Sequence, residues 1–329
     1  WLPFYRSISD RERNRDSAFR PHCRTTGRSK VKSGDMDLEY KKSIVSYYDA
    51  TRLDYKFLWF GKKNRSVHFG YYDQKVKTHH DALLNLNKVM AQKSGVKNGD
   101  VILDAGCGQG GSAVWLAENY NVRVTGITLV PHQVKKAGKH ARNCNLADRV
   151  SFFEQDYTHT NFDDQSFTLI WACESMCHAQ EKINFYREAY RLLKHGGRLI
   201  IADYFRNKRP LTPEGEKLLH DWMNGWSIKD IDTVDEHYSN ALKCGFSDFR
   251  IEDITQFTRP SLRRLHSLST RLWRLGIFLK TIGVRNKVNH GNQFGSIKQF
   301  EALKENLWHY GLLSIQKKDR KSVVEGKIV

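Results

Sequence analysis

Short apolar runs alternate with stretches of three-and-four apolar spacing along most of the chain. The runs at 101–105, 122–127, 150–154, 167–173, 197–204, 248–254 and 310–316 read as strands. Helical spacing fills 79–94, 131–143, 182–194 and 233–244, and an amphipathic helix opens at Asp37. Such alternation predicts an α/β fold with a mostly parallel sheet and helices on both faces. Two long stretches interrupt it. One, 206–232, carries Trp222, Met223 and Trp226. The other, 255–307, carries Leu262, Leu265, Leu268, Leu272, Leu275, Leu279 and Ile282 at helical spacing, with Arg263, Arg264, Arg271 and Arg274 off that stripe. Both are expected to cap the ligand end of the sheet. The second reads as one basic amphipathic helix that either packs on its own domain or meets a membrane surface.

The first apolar run, Val101-Ile102-Leu103-Asp104-Ala105, stops at Gly106-Cys107-Gly108-Gln109-Gly110-Gly111 and passes at once into Ser112-Ala113-Val114-Trp115-Leu116. A buried strand therefore turns sharply into a helix, and the glycines allow left-handed backbone and close approach of a ligand. In a parallel sheet that ligand belongs at the carboxyl ends of the strands. The spacing also satisfies Gly-x-Gly-x-x-Gly, which by itself does not say which nucleotide binds. A nicotinamide-binding unit places an acid at the end of its second strand. Here the second run ends at Thr128.

The ends of the chain lack these patterns. Residues 1–35 read as a disordered leader, with Met36 the expected natural start, and 319–329 read as a foreign tail. Between them one domain is expected over 36–318, with an aromatic amino-terminal lid (36–95) and the two caps. The lid region is crowded with rings: Tyr47, Tyr48, Tyr55, Phe57, Trp59, Phe60, Phe69, Tyr71 and Tyr72. Core packing and a cover over an apolar or cation-forming substrate both explain them.

Charge adds a regional feature. The 54 Lys and Arg against 36 Asp and Glu give a formal +18. Residues 255–318 alone hold twelve basic side chains against Glu301 and Glu305, or +10. That balance favours an anionic partner without naming it. Six cysteines without a Cys-x-x-Cys pair argue for a reducing compartment and no structural zinc. No run approaches the length of a membrane span. A cytoplasmic protein is expected, with peripheral contact with anionic membrane through 259–285 as the extension of that reading.

Four stretches, in order, resemble the class I S-adenosylmethionine-dependent methyltransferases: Leu103 to Gly111, Gly126-Ile127-Thr128-Leu129-Val130-Pro131-His132-Gln133, Cys173-Glu174-Ser175-Met176-Cys177-His178-Ala179, and Leu192-Leu193-Lys194-His195-Gly196-Gly197-Arg198-Leu199. With Tyr47-Tyr48-Asp49 and His68-Phe69-Gly70-Tyr71-Tyr72 they resemble the branch of sterol C-methyltransferases, tocopherol methyltransferases and cyclopropane fatty acid synthases. The resemblance implies a doubly wound, seven-stranded Rossmann-like methyltransferase fold with helical cap insertions, and S-adenosyl-L-methionine as cofactor. It assigns Gly106, Cys107, Gly108 and Gly110 to the methionine carboxylate through backbone N–H groups, and Asp104 to the loop or the methionine amino group. Thr128 and Gln133 fall to the ribose, Asp156 to the adenine amino group, and Leu129, Tyr157 and Cys173 to the same cofactor site.

Methyl transfer from a sulfonium is an in-line displacement, so positioning is the main contribution. A hydroxyl acceptor needs a base, for which His178 or His68 has the right range. An alkene acceptor leaves a carbocation, for which Glu174 and the faces of Tyr47 and Tyr71 suit. The expected activity is methyl transfer to carbon or oxygen of a small hydrophobic or amphiphilic acceptor, sterol or terpenoid, quinone or tocopherol-like, or lipid. The alternatives are an RNA methyltransferase, an NAD-dependent oxidoreductase and a catalytically silent cofactor-binding subunit. Nucleic acid is disfavoured because Ala172-Cys173-Glu174-Ser175 stands where amine-methylating members carry Asn or Asp followed by Pro-Pro and an aromatic. No metal ligand set is expected, and the sequence is silent on oligomeric state.

Overall fold

The apolar run Val101–Ala105 (β1) is buried from Ile102 onward because it forms the middle of a sheet covered on both sides. The computed structural model describes residues 37–58 and 65–318. The leader, Trp59 and Phe60 of the aromatic region, and the 319–329 tail lie outside the described residues. Parallel to β1 run Arg123–Thr128 (β2), Val150–Glu154 (β3), Phe167–Cys173 (β4) and Leu193–Arg206 (β5). Trp308–Lys317 (β7) lies antiparallel between β5 and Phe246–Asp253 (β6). The order β3-β2-β1-β4-β5-β7-β6 is a doubly wound seven-stranded sheet. Its winding reverses between β1 and β4, which opens a crevice at their carboxyl ends.

Local chemistry sets the helix boundaries. His79–Ser94 (α3) begins where the Thr78 hydroxyl accepts the Asp81 N–H and ends at Gly95, in left-handed conformation. Gly111–Asn119 (α4) follows β1, and Pro131–Asn143 (α5) follows β2 with proline at its first position. Lys182–Leu192 (α6) leads into β5. Pro213–Gly225 (α7) starts on the Thr212 hydroxyl, and Val234–Lys243 (α8) on a reciprocal Thr233–Glu236 capping box. The amino-terminal part forms Leu38–Ala50 (α1), capped by Asp37, and Arg52–Leu58 (α2).

The 255–307 stretch corrects its expected form. It is three helices, Thr255–Arg271 (α9), Trp273–Thr281 (α10) and Lys287–Lys304 (α11), with a break at Leu272. The apolar stripe divides there: Leu262 and Leu265 are buried, whereas Leu272, Leu275 and Ile282 keep 47%, 49% and 54% of their surface exposed. The break turns α10 away from the core that α9 helps to cover. By contrast α7 and α11 pack closely, because a Cβ on Gly225 would sit 2.4 Å from the Gly291 carbonyl. Trp222 and Trp226 of that layer meet Tyr204 and Trp308 of the sheet, so the caps share the sheet's core.

Candidate active site

The turn after β1 is shaped by packing against the end of β4. Gly106 has φ +91°, and a Cβ there would lie 2.3 Å from the Ser175 Cβ. The Ser175 hydroxyl in turn donates to the Ala105 carbonyl at 2.5 Å. Gly108, at φ +51°, would direct a Cβ into open space, since no atom lies within 4 Å. The two glycines thus do different things: one lets two strand ends touch, and the other leaves room for a ligand. Several N–H groups of the turn are already taken within the protein. Gly106 and Cys107 both donate to the Ile127 carbonyl at 2.9 Å, and Gly110, which precedes α4, donates to the Cys107 carbonyl. Among the described residues the Gly108 and Gln109 N–H groups find no partner and are the ones left for a carboxylate.

This turn borders a cavity of about 760 Å³ at the carboxyl ends of β1, β2 and β4. Of the residues that the sequence nominates, Gly106, Gly108, Thr128, Leu129, Gln133, Tyr157, Cys173, Glu174 and His178 line it. Thr128 donates to the Gln133 side-chain carbonyl at 2.7 Å, which sets two neutral polar groups side by side on the cavity wall. Asp104, Cys107, Gly110 and Asp156 do not line it. Asp156 accepts from the Thr158 N–H and hydroxyl on one oxygen and pairs with Lys41 of α1 at 2.8 Å on the other. Asp104 is buried with one carboxyl oxygen unpartnered among the described residues. Burial pushes its pKa up to about 7, against the pull of the Ala113 N–H. An orphaned buried carboxylate of this kind fits an ammonium group.

A second cavity, about 550 Å³, adjoins the first and shares Tyr48, Tyr55, Val67, Glu174 and His178 with it. Tyr47, Tyr204 and Trp226 complete an aromatic wall. The Glu174 carboxyl stands at the junction. Its backbone has φ +48°, and its oxygens accept the Phe69 N–H at 2.5 Å, the Tyr204 hydroxyl at 2.5 Å and the Tyr310 hydroxyl at 2.7 Å. Burial pushes its pKa up to about 8; those three donors pull the other way and nearby Asp203 adds to the rise. His178 donates from Nδ1 to the Ser227 carbonyl at 3.2 Å, so its Nε2 accepts from the Tyr48 hydroxyl at 3.0 Å. Burial lowers its pKa to about 4.

His68 and Tyr71 line neither cavity. The His68 ring is buried against the Phe69 carbonyl, with its pKa lowered to about 4 by burial, and Tyr71 stacks on Phe257 at 4.4 Å. The ring-rich region therefore divides: Tyr47, Tyr48 and Tyr55 line the second cavity, while Phe69, Tyr71 and Tyr72 pack internally. Sequence reasoning missed Tyr204 and Tyr310 as the clamp on Glu174. They sit directly opposite each other in the β5–β7 register, a pairing without a local signal.

A family model described as "Methyltransferase domain" matches residues 103–201, from the glycine turn into β5. The chain is similar to 27-O-demethylrifamycin SV methyltransferase of Amycolatopsis mediterranei, 32% identical over 216 residues, covering 65% of this chain and 77% of that protein. It belongs to the S-adenosylmethionine-dependent methyltransferases. The methyltransferase is also 28% identical over 218 residues to the sterol 24-C-methyltransferase ERG6 of Saccharomyces cerevisiae, covering 66% of this chain and only 56% of that enzyme. Geranyl diphosphate C-methyltransferase from Streptomyces coelicolor A3(2), solved with Mg2+, geranyl diphosphate and S-adenosylhomocysteine, aligns with TM-score 0.64 and 20% identity, covering 84% of this chain and 98% of its own. At that identity the likeness carries the fold. The sterol-type branch that the motifs resemble is thus among the relatives of this methyltransferase, and its cofactor is S-adenosylmethionine. None of these relatives is an oxidoreductase.

Proposed function

We propose that this methyltransferase transfers a methyl group to carbon of a small hydrophobic or amphiphilic acceptor, terpenoid, sterol-like, quinone-like or lipid, held in the second cavity. S-adenosylmethionine supplies a methyl group already activated on sulfur. The chain's own residues then position, exclude water and manage charge. Gly108 and Gln109 N–H groups hold the methionine carboxylate, and Asp104, buried behind the turn, acts on the loop or on the methionine amino group. Thr128 and Gln133 take the ribose hydroxyls, each bond contributing about 1 kcal/mol, with Leu129, Tyr157 and Cys173 along the same wall. One observation carries the acceptor reading. A half-buried carboxyl, Glu174, stands where the two cavities meet, and Tyr47, Tyr48, Tyr55, Tyr204 and Trp226 line the same cavity.

Aromatic faces and a carboxylate stabilise positive charge as it develops on carbon, and the same carboxylate can take a proton afterwards. Transfer to oxygen through His178 is less well supported, since that nitrogen is weakly basic and already accepts from Tyr48. An acceptor of this kind agrees with peripheral contact of residues 259–285 with anionic membrane. The names of the relatives, which concern rifamycin and sterol acceptors, support small molecules over RNA. Incubation of the protein with methyl-labelled cofactor and separate lipid, quinone and RNA extracts tests the reading. Label is expected in an apolar fraction and stable to ether-cleaving hydriodic acid. Label confined to RNA would overturn the acceptor class, and label released by the acid would move the transfer to oxygen.

A further inference from the structure

Among the described residues, ten large apolar side chains are strongly exposed, and six of them fall on one stretch: Leu272, Leu275, Ile277, Phe278, Ile282 and Val284. The expected basic amphipathic helix thus hides only its first half, and the second half, α10 with its flanking turns, carries its apolar residues outward. Patches of this kind mark interaction sites. Arg271, Arg274, Lys280 and Lys287 are exposed on the same stretch, and no Asp or Glu occurs between Asp253 and Glu301. Arg285 is different, because Asp54 of α2 pairs with it at 3.1 Å.

The position of the patch is as informative as its composition. Leu272 forms part of the wall of a third cavity, about 680 Å³, with Leu268 and Arg285. That cavity shares Asn292 and Ser296 with the acceptor cavity, so ligand space leads from the foot of α10 toward Glu174.

We propose that α10 and the turns on either side of it dock the methyltransferase on an anionic lipid bilayer, with the outer chamber of the acceptor cavity opening beside the lipid. The proposal rests on the reading of the acceptor as hydrophobic or amphiphilic. A nine-residue helix is about 14 Å long, too short to span a bilayer and suited to lie in its interface. A second copy of the chain fits this face poorly, because a two-fold contact would bring each set of four exposed cations against its like. An anionic bilayer offers apolar depth and opposite charge together.

Sedimentation of the full chain with vesicles tests the proposal, using phosphatidylcholine alone or with about a third phosphatidylserine to supply the surface charge. Binding to the anionic vesicles that weakens with salt is expected, with little binding to the neutral ones. Phe278→Ser with Ile282→Ser should cut it at least tenfold, and Arg271→Gln with Arg274→Gln about 25-fold, at roughly fivefold per cation. Leu242→Ser, at an exposed leucine of α8, should change nothing. Wild-type protein that ignores anionic vesicles, or α10 variants that bind like wild type, would overturn the proposal. So would a dimer on gel filtration that the paired serine variant dissociates, since a second copy would then be the occupant. Calorimetry with S-adenosylhomocysteine should be equal for all variants, which separates docking from misfolding. Protein that labels a lipid extract but ignores vesicles loses the docking proposal alone. Protein that binds vesicles but labels only RNA loses the acceptor reading alone.

Discussion

Glu174→Gln separates the charge of the junction carboxyl from its shape. Glutamine keeps a carbonyl oxygen for the Phe69 N–H and the Tyr310 hydroxyl, and its amide nitrogen can donate to Tyr204, so the clamp stays filled. In the folded protein the Glu174 pKa is raised to about 8 from an ordinary 4.5, chiefly by burial. The folded state therefore holds a proton that the unfolded chain releases above 4.5. Stability from this group is fully present below that pH and is lost as pH rises through about 8. At about 1.4 kcal/mol per pH unit the whole interval is worth roughly 5 kcal/mol, an upper figure because a buried site relaxes when it ionises. Urea unfolding followed by tryptophan fluorescence at several pH values between 5 and 9 should show wild-type stability falling with pH. The glutamine variant should fall much less and gain on wild type at the alkaline end. In the methyl-transfer assay the variant should lose about 100- to 1000-fold in turnover, the scale of a removed transition-state electrostatic contact. Its affinity for S-adenosylhomocysteine should stay within about threefold, because the residues read as cofactor contacts are untouched. A variant whose stability tracks wild type across pH, or whose turnover is unchanged, would refute the reasoning and leave Glu174 as a packing partner of its tyrosines.

Gly106→Ala should abolish S-adenosylhomocysteine binding by calorimetry and cost about 1 to 3 kcal/mol in unfolding, since its Cβ meets Ser175 in a left-handed backbone. Thr128→Val should weaken that binding about fivefold to tenfold through one lost ribose hydrogen bond, with no gain of NADH binding; unaltered affinity would remove Thr128 from the cofactor site. Binding of the cationic methyl donor near pH 7 should release more protons than binding of neutral S-adenosylhomocysteine, because a sulfonium beside Glu174 favours its ionised form. Titration in buffers of different ionisation enthalpy reads this out, and the excess should vanish in Glu174→Gln.

Much of this protein is fixed locally and is therefore legible in the sequence. The run into Gly106, the proline that opens α5 and the Thr233–Glu236 capping box act over a few residues, so they place strands and helices wherever the chain goes. The step from β1 through the glycines to Thr128 also leads to the cavity at the strand ends, because a doubly wound sheet gathers strand ends at its switch point. What only the tertiary structure decided depends on partners far away in the chain. Glu174 is clamped by Tyr204 and Tyr310, which meet through antiparallel pairing and not through any sequence spacing. His68 has the right residue type for a base, yet it is buried against the Phe69 carbonyl and lines neither cavity. The stripe from Leu262 to Ile282 has one periodicity, but a break at Leu272 sends half of it into the core and half to the surface. Periodicity reports which side chains share a face; whether that face is covered depends on where the neighbouring helices end.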